Sequence, residues 1–448
     1  MHSPSIVWLR DDLRLADNPA LTAAAERGEP VILVYVLDEE SSEVRPLGAA
    51  SKWWLHHSLA AIGPQLVLRR GRAEDVLSAL VAEVGGGAVF WNRRYGAARE
   101  IDARLKRHLR DAGVDVRSFQ ANLLIEPWTL TSGSGGPYRV FTPFWKAARE
   151  LRFRDPLPAP SEIEWDATGS NREDLDDWGL LPTQPDWASG LREAWHPGEA
   201  GAHDQLEQFV DERLADYHRR DEPAIDSTSR LSPHLRFGEI SPFQIWERLH
   251  GAMSPEARAN VPKFLSEVGW REFNWSILFH STELAERNYR PAYDAFPWSL
   301  PDPKELAAWH QGRTGIPLVD AGMRELWTTG TMHNRVRMVV ASFLVKNLLI
   351  DWRVGEKWFW DTLVDADEAS NPANWQWVAG SGADAAPYFR VFNPELQRAK
   401  FDRDGRYVSR WVPEVGTPLY PRPIVDLAET RKQALEAYAF VKAATDRQ

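Results

Sequence analysis

The sequence predicts two architectures in one chain: a five-stranded, parallel, doubly wound α/β domain, then an all-helical domain. Three observations predict it. Short apolar runs alternate with helical patterns over residues 1–120, and strand–helix alternation builds a parallel sheet with helices on both faces. From about Ala202 onward apolar residues recur at helical spacing. Between the two lies a stretch rich in Pro, Trp and acid that breaks both patterns. The 448 residues suffice for two large cores, since a domain takes roughly 100–200 residues.

Taken in order, Ser5–Leu9, Val31–Leu37, Leu66–Leu68, Ala88–Asn92 and Val114–Phe119 are continuous apolar runs of strand length, as buried strands require. Asn18–Arg27, Ala49–Ile62, Ala73–Val84 and Ala97–Ala112 carry the helical period between them. No G-x-G-x-x-G follows the first strand and no P-loop occurs, so neither a Rossmann nor a Walker nucleotide site has sequence support. Gly85–Gly87 reads as a turn, and Thr131–Gly136 as a Gly/Ser loop. Pro156 to Pro197 reads as connector. The expected domains are residues 1–130, a connector over 131–201, and residues 202–448, closing on a helix at Asp426–Lys442.

Composition narrows the function. Cysteine is absent, which excludes disulfides, thiolate zinc sites, cysteine-held iron–sulfur clusters and a cysteine nucleophile. No run approaches the roughly 20 apolar residues of a membrane helix, and Val339 to Ile350 is broken by Lys346 and Asn347. Arg10, Asp11, Asp12 and Arg14 stand where a signal peptide needs an apolar core, so a cytoplasmic protein is expected. The net charge of −11 argues against nucleic acid until its distribution is read. Residues 161–212 hold fourteen acids and two bases, so the rest of the chain is close to neutral and can carry a basic face. Tryptophan is the outlier, 22 residues against 10 tyrosines, more than packing commonly uses.

Four constellations could carry chemistry. If Phe264–Phe273 is helical, Glu267, Trp270 and Arg271 share a face, extended by Phe264 and Asn274. Carboxylate, indole and guanidinium together could grip an aromatic heterocycle; the plain alternative is a surface ion pair beside a core Trp. Thr331–Met338 puts Asn334, Arg335, Arg337 and Met338 at the mouth of an apolar helix, where a buried arginine needs a partner such as Asp365 or Asp367. A calcium loop at Asp365 fails, because Ala369 stands at its fifth position. Trp375, Trp377, Trp352 and Trp298 could pass electrons one at a time, or simply pack. Thr228–Ser232 is a hydroxyl-rich helix start suited to phosphate, or an ordinary cap.

Together these residues resemble the photolyase/cryptochrome family. The resemblance begins at Trp8–Asn18, includes Val140–Phe144, Thr228–Ser232, Glu267–Arg271 and Met332–Met338, and ends on Phe343–Pro394, so it covers nearly the whole chain. It implies an antenna-binding α/β domain and a helical domain holding a U-shaped FAD. Carried over by resemblance, Tyr217, Thr228, Ser229, Arg230, Leu231 and Ser232 would hold the FAD phosphates and ribose. Phe264, Glu267 and Arg271 would border the pocket; Asn334, Arg337, Asp365, Ala366 and Asp367 would surround the flavin ring, with Arg337 paired to Asp365. Asn371 would face flavin N5, where a neutral amide accepts a hydrogen bond from N5–H and has no proton to donate by titration.

The implied activity is light-driven repair of UV-damaged DNA. Excited, fully reduced FAD would pass an electron to a cyclobutane pyrimidine dimer flipped out of the strand; the ring opens and the electron returns. Glu267 would hydrogen-bond the dimer, Trp270 and Trp377 would wall it, and Met338 would lie at its edge. Arg271, Asn274, Asn334 and Arg335 would complete the DNA contact, with Arg390, Arg398, Lys400, Arg403 and Arg406 toward phosphates. Trp375, Trp352 and Trp298 would form the photoreduction chain, inner to outer. A (6-4) enzyme would be expected to carry histidine where this chain has Asn334 or Arg335. The Phe296–Trp298 context looks most like the bacterial class III branch. The antenna expected is 5,10-methenyltetrahydrofolate, with a deazaflavin or no antenna as alternatives, and the protein is expected to act as a monomer without a metal. The competing reading is a cryptochrome-type blue-light receptor, whose signalling members usually carry a C-terminal extension beyond this scaffold.

Overall fold

The computed structural model describes residues 3–133, 135–166, 172–251, 253–385 and 389–445. Five strands, β1 (Ser5–Leu9), β2 (Val31–Leu37), β3 (Leu66–Arg70), β4 (Ala88–Asn92) and β5 (Asp115–Phe119), form one sheet in the order β3-β2-β1-β4-β5. Every neighbouring pair is parallel, with Val7 opposite Leu33 on one side and Phe90 on the other. The five apolar runs thus became the five strands; β3 continues to Arg69 and Arg70, whose polar ends reach solvent. Helices α1 (Pro19–Ala25), α2 (Ala49–Ile62), α3 (Ala73–Val84) and α4 (Arg99–Asp111) supply the crossovers. Side chains alternate along a strand, so Val7 and Leu9 enter one core with α1 and α2, while Ile6 and Trp8 enter another with α3 and α4.

Residues 131–201 carry structure where a plain connector was expected. Helices α5 (Phe141–Ala148) and α6 (Ser189–Ala194) each seat on a core: Phe144 and Trp145 join the helical domain, and Leu191 joins the sheet. An isolated parallel bridge pairs Trp165 with Val31.

The helical domain runs through α7 (Glu199–Gln208), α8 (Ser232–Arg236), α9 (Pro242–His250), α10 (Pro255–His280), α11 (Pro303–His310), α12 (Pro317–Thr329), α13 (Asn334–Ser342), α14 (Trp352–Thr362), α15 (Ser370–Ala379), α16 (Pro394–Phe401), α17 (Arg406–Trp411) and α18 (Leu427–Thr445). Ser254 caps the 26-residue α10 by accepting from the Ala257 N–H. Pro262 interrupts one bond of its ladder but not the helix. One core gathers α12 to α15 around Trp352 and Trp375, and a second gathers α5, α9 and α10 around Phe209 and Phe264.

The two domains are stitched by the loop after β1. Arg14 is fully buried and donates to the carbonyls of Asp17, Ala121 and Gly238, the last lying in the helical domain at 2.7 Å. That use of the Trp8–Asn18 motif is structural. Among the described residues no helix is long and apolar enough to cross a membrane.

Candidate cofactor and DNA site

The phosphate-type turn lies where α8 begins. Arg230 holds a left-handed backbone (φ 56°), a conformation that turns successive N–H groups toward one point and so suits an anion. Its side chain is committed elsewhere, donating to the Ala194 carbonyl at 2.8 Å and lying over Trp195, so only its backbone is available to a ligand. Leu231 is buried as an apolar anchor. Ser232 is exposed and donates to Asp365 at 2.6 Å. Nearby, the Ser227 hydroxyl and one terminal nitrogen of Arg213 are buried without a partner among the described residues, although the Arg213 Nε pairs with Asp226 at 3.2 Å. Unused donors around a turn of converging amides fit a diphosphate.

The walls of that region are aromatic and ionic. Phe264, Phe209 and Tyr217 box one another, with ring centroids 4.7–5.7 Å apart. Burial pushes the Tyr217 hydroxyl up to about 12, so it stays protonated. Arg337 grips Asp365 through two parallel bonds, at 3.1 and 2.9 Å, and donates to the Met332 carbonyl and the Thr331 hydroxyl. Asp367 turns back on its own loop and caps the Ala369 and Ser370 N–H groups; Ala366 is buried, and its carbonyl accepts from Arg236. Asn371 is buried and donates to Glu356. His333 caps α13 through Nδ1, while its Nε2 is buried with no partner among the described residues. Burial holds the His333 imidazole down at about 4, hence neutral.

The face expected to meet the lesion divides. Arg271 lies one turn beyond Glu267 on the same side of α10, yet its side chain turns to the α/β domain, donating to the Asn122 carbonyl at 2.8 Å. Arg271 lines the cavity at the domain junction. Asn274 is buried in a small cavity lined also by Trp270, Gln376 and Trp377, so it stands behind the surface. Trp270 is stacked on Phe141 at 3.9 Å with the planes 10° apart, which leaves the opposite ring face available. Sequence reasoning missed that backing ring. It also missed Arg220, which pairs with Glu267 at 2.6 Å and reaches the Tyr217 hydroxyl at 3.3 Å, and Asp221, which pairs with Arg335 at 3.0 Å. The only sequence signal was the position of Arg220 and Asp221, three and four residues past Tyr217.

Around this face stands a cationic rim. Arg335 lies over Phe401 at 4.6 Å with Lys400 at 4.9 Å from the same ring, and Arg390 lies over Trp377 at 5.0 Å. Met338 is half-buried, its sulfur 3.9 Å from Arg335. Asn334, Arg398, Arg403 and Arg406 are exposed. Ala386–Tyr388, within the Phe343–Pro394 resemblance, lie outside the described residues.

Of the tryptophans, Trp375 and Trp352 are buried in one core, and Trp298 is half-buried against it. Trp352 donates to Asn288 at 2.9 Å, and Trp375 contacts Phe359 and Trp309 with centroids 4.9 and 6.4 Å away. A further cavity, open to solvent, lies at the domain junction rather than over Glu267. Trp8, Tyr35, Trp275 and Trp360 wall it, with Arg10, Arg236 and Glu368 among its polar groups. Burial raises the Glu368 carboxyl above its ordinary range.

A model described as DNA photolyase matches residues 5–161, and one described as the FAD binding domain of DNA photolyase matches residues 264–419. The chain belongs to the photolyase/cryptochrome family, and its helical domain is an FAD-binding domain. In particular, it is 51% identical to the deoxyribodipyrimidine photo-lyase of Agrobacterium fabrum, over 99% of each chain. It superposes on the crystal structure of a bacterial class III photolyase from Agrobacterium tumefaciens with a TM-score of 0.94 and 50% identity, over 99% of this chain and 98% of that one. Cryptochrome-1 of Arabidopsis thaliana is 37% identical, over 97% of this chain and 70% of its own.

Proposed function

We propose that this chain is a deoxyribodipyrimidine photolyase that splits cyclobutane pyrimidine dimers in UV-damaged DNA under blue or near-UV light, acting as a monomer in the cytoplasm. The observation that carries the reading is that two indoles, Trp270 and Trp377, line one small cavity, while Glu267, held by Arg220, stands one helical turn before Trp270 on α10. FAD, bound in its fully reduced form, would supply the light-driven electron-transfer chemistry. The chain's own residues do the rest. Thr228 to Ser232 and Arg213 hold the diphosphate; Arg337 and Asp365 fix the edge of the ring. Asn371 presents an amide to N5. Glu267, oriented by Arg220, accepts from the lesion's N–H, and Trp270 gives it an apolar wall held flat by Phe141. Arg335, Lys400 and Arg390 take phosphates. Trp375, Trp352 and Trp298 would relay single electrons between the surface and the flavin site.

The cavity at the domain junction suits an antenna pigment. Aromatic walls stack a planar pterin, and Glu368 offers a carboxyl to an amino-pyrimidine edge. Our assignment is 5,10-methenyltetrahydrofolate, with extracted-chromophore analysis deciding between it and a deazaflavin.

The test of function is loss of thymine dimers from an oligonucleotide incubated with the reduced holoprotein. Repair is expected under blue light and absent in the dark. Equal repair in darkness, or flavin that reduces in light while dimers persist, would overturn the reading, the second outcome favouring a receptor.

A further inference from the structure

We infer that Arg45, in the α/β domain, is a positioning residue for the flavin site of the other domain, acting through Glu356 on the Asn371 amide. The inference rests on the proposal that Asn371 faces flavin N5. Arg45 reaches across the domain boundary and grips Glu356 with two parallel bonds, at 2.6 and 2.9 Å. Glu356 is buried, and its Oε1 accepts a second bond from the Asn371 Nδ2 at 2.8 Å, while the Glu356 backbone carbonyl accepts from that nitrogen at 3.1 Å.

Both acceptors on the Asn371 side therefore belong to Glu356, and an amide nitrogen facing two acceptors has its orientation fixed. The Asn371 Oδ1 is left to point the other way, as an acceptor. A reduced flavin carries a proton on N5 that needs an acceptor; an oxidised flavin has a bare N5 that wants a donor. A fixed Oδ1 therefore favours the reduced form.

Arg45 is itself built in. Its guanidinium lies 3.9 Å from the centroid of the Trp360 ring, whose Nε1 donates to the Pro46 carbonyl at 2.9 Å. Two residues on, a Cβ at Gly48 would collide with the Trp360 carbonyl, and the Ala49 N–H donates to Asp361 at 2.9 Å. The loop is thus docked along α14, the helix that also carries Trp352 and Glu356. Without Arg45, Glu356 would face Asn371 as a buried carboxylate lacking its cation, free to rotate, and the amide would lose its fixed direction.

The experiment measures the two-electron midpoint potential of bound FAD by anaerobic titration in the holoprotein and its variants. Arg45→Met, which keeps the stem over Trp360 and removes the charge, is expected to shift the oxidised–reduced equilibrium about tenfold toward oxidised, about 30 mV more negative. Arg45→Lys is expected to restore most of the shift. Arg45→Gln replaces Arg45→Met if the latter does not fold. Asn371→Ser separates the two readings. If it leaves the potential unchanged, the placement of Asn371 at the flavin is wrong. If it shifts the potential and Arg45→Met does not, the relay alone is wrong. Adding Arg45→Met to Asn371→Ser is expected to produce no further shift; an additive shift would mean that Arg45 acts on the flavin by another route. Loss of thermal stability with an unchanged potential would leave Arg45 as a domain clamp only, and would also overturn the inference.

Discussion

At the scale of single residues, burial decides chemistry. Glu267 is half-buried and oriented by Arg220, so its carboxylate stays available to a ligand. Glu267→Ala is expected to lower lesion affinity and repair by roughly tenfold to hundredfold, since a hydrogen bond to a charged group contributes about 1.5–3 kcal/mol. The flavin absorption spectrum should stay as in wild type; loss of FAD would assign the carboxylate to cofactor retention. Glu272, its near neighbour on α10, is the opposite case. Full burial outweighs the Arg271 charge 3.3 Å away and the Ile125 N–H bond, and raises the carboxyl to about 7. A folded state that keeps a proton the unfolded chain has lost gains stability only at low pH. Unfolding free energy should therefore fall as pH rises from 4.5 to 7, by about 3 kcal/mol in all. Glu272→Gln should flatten that dependence in calorimetric melts between pH 5 and 8, and an unchanged slope would refute the assignment.

At the scale of elements, helices position the tryptophans proposed to carry electrons. Trp375 on α15 packs edge-on into a notch that α14 leaves at Gly355, where a Cβ would overlap both the indole and Leu344. Gly355→Ala should cost about 1–3 kcal/mol through overpacking. It should also displace Trp375 and slow photoreduction of oxidised FAD; a wild-type melting temperature would show that the notch is slack. The π-helical turn Phe343–Asn347 follows α13 and brings Lys346 into the core, where burial pushes the ammonium well down and the amine donates to the Ala379 carbonyl at 2.5 Å. The helical period of the Val339 to Ile350 run was legible in the sequence; the turn's widening was not, because it depends on what packs around it.

At the scale of the whole molecule, the proposed electron chain can be tested apart from repair. Trp352→Phe should abolish most photoreduction of oxidised flavin while leaving repair by chemically reduced protein intact, as followed by flavin bleaching under blue light and by dimer loss. Unaltered photoreduction would remove Trp352 from the chain. The overall charge of −11 does not oppose DNA binding, because the acids concentrate in residues 161–212 and the cations gather at the Arg335–Phe401–Lys400 rim.

The five strands, their parallel alternation with helices, and the helical second half were determined by the sequence itself, because apolar period and run length are local properties. So were the residue types at Thr228–Ser232, Glu267–Trp270 and Arg337, and the need of a half-buried guanidinium for a counter-charge pointed to Asp365 or Asp367, the family resemblance naming Asp365 for Arg337. Only the tertiary structure decided that Arg271 turns to Asn122 of the α/β domain, that Phe141 backs Trp270, that Arg220 holds Glu267, and that Arg45 crosses a domain boundary to Glu356. Each of these contacts joins residues distant in sequence. Such pairings are set by how whole elements pack, and no local pattern records them.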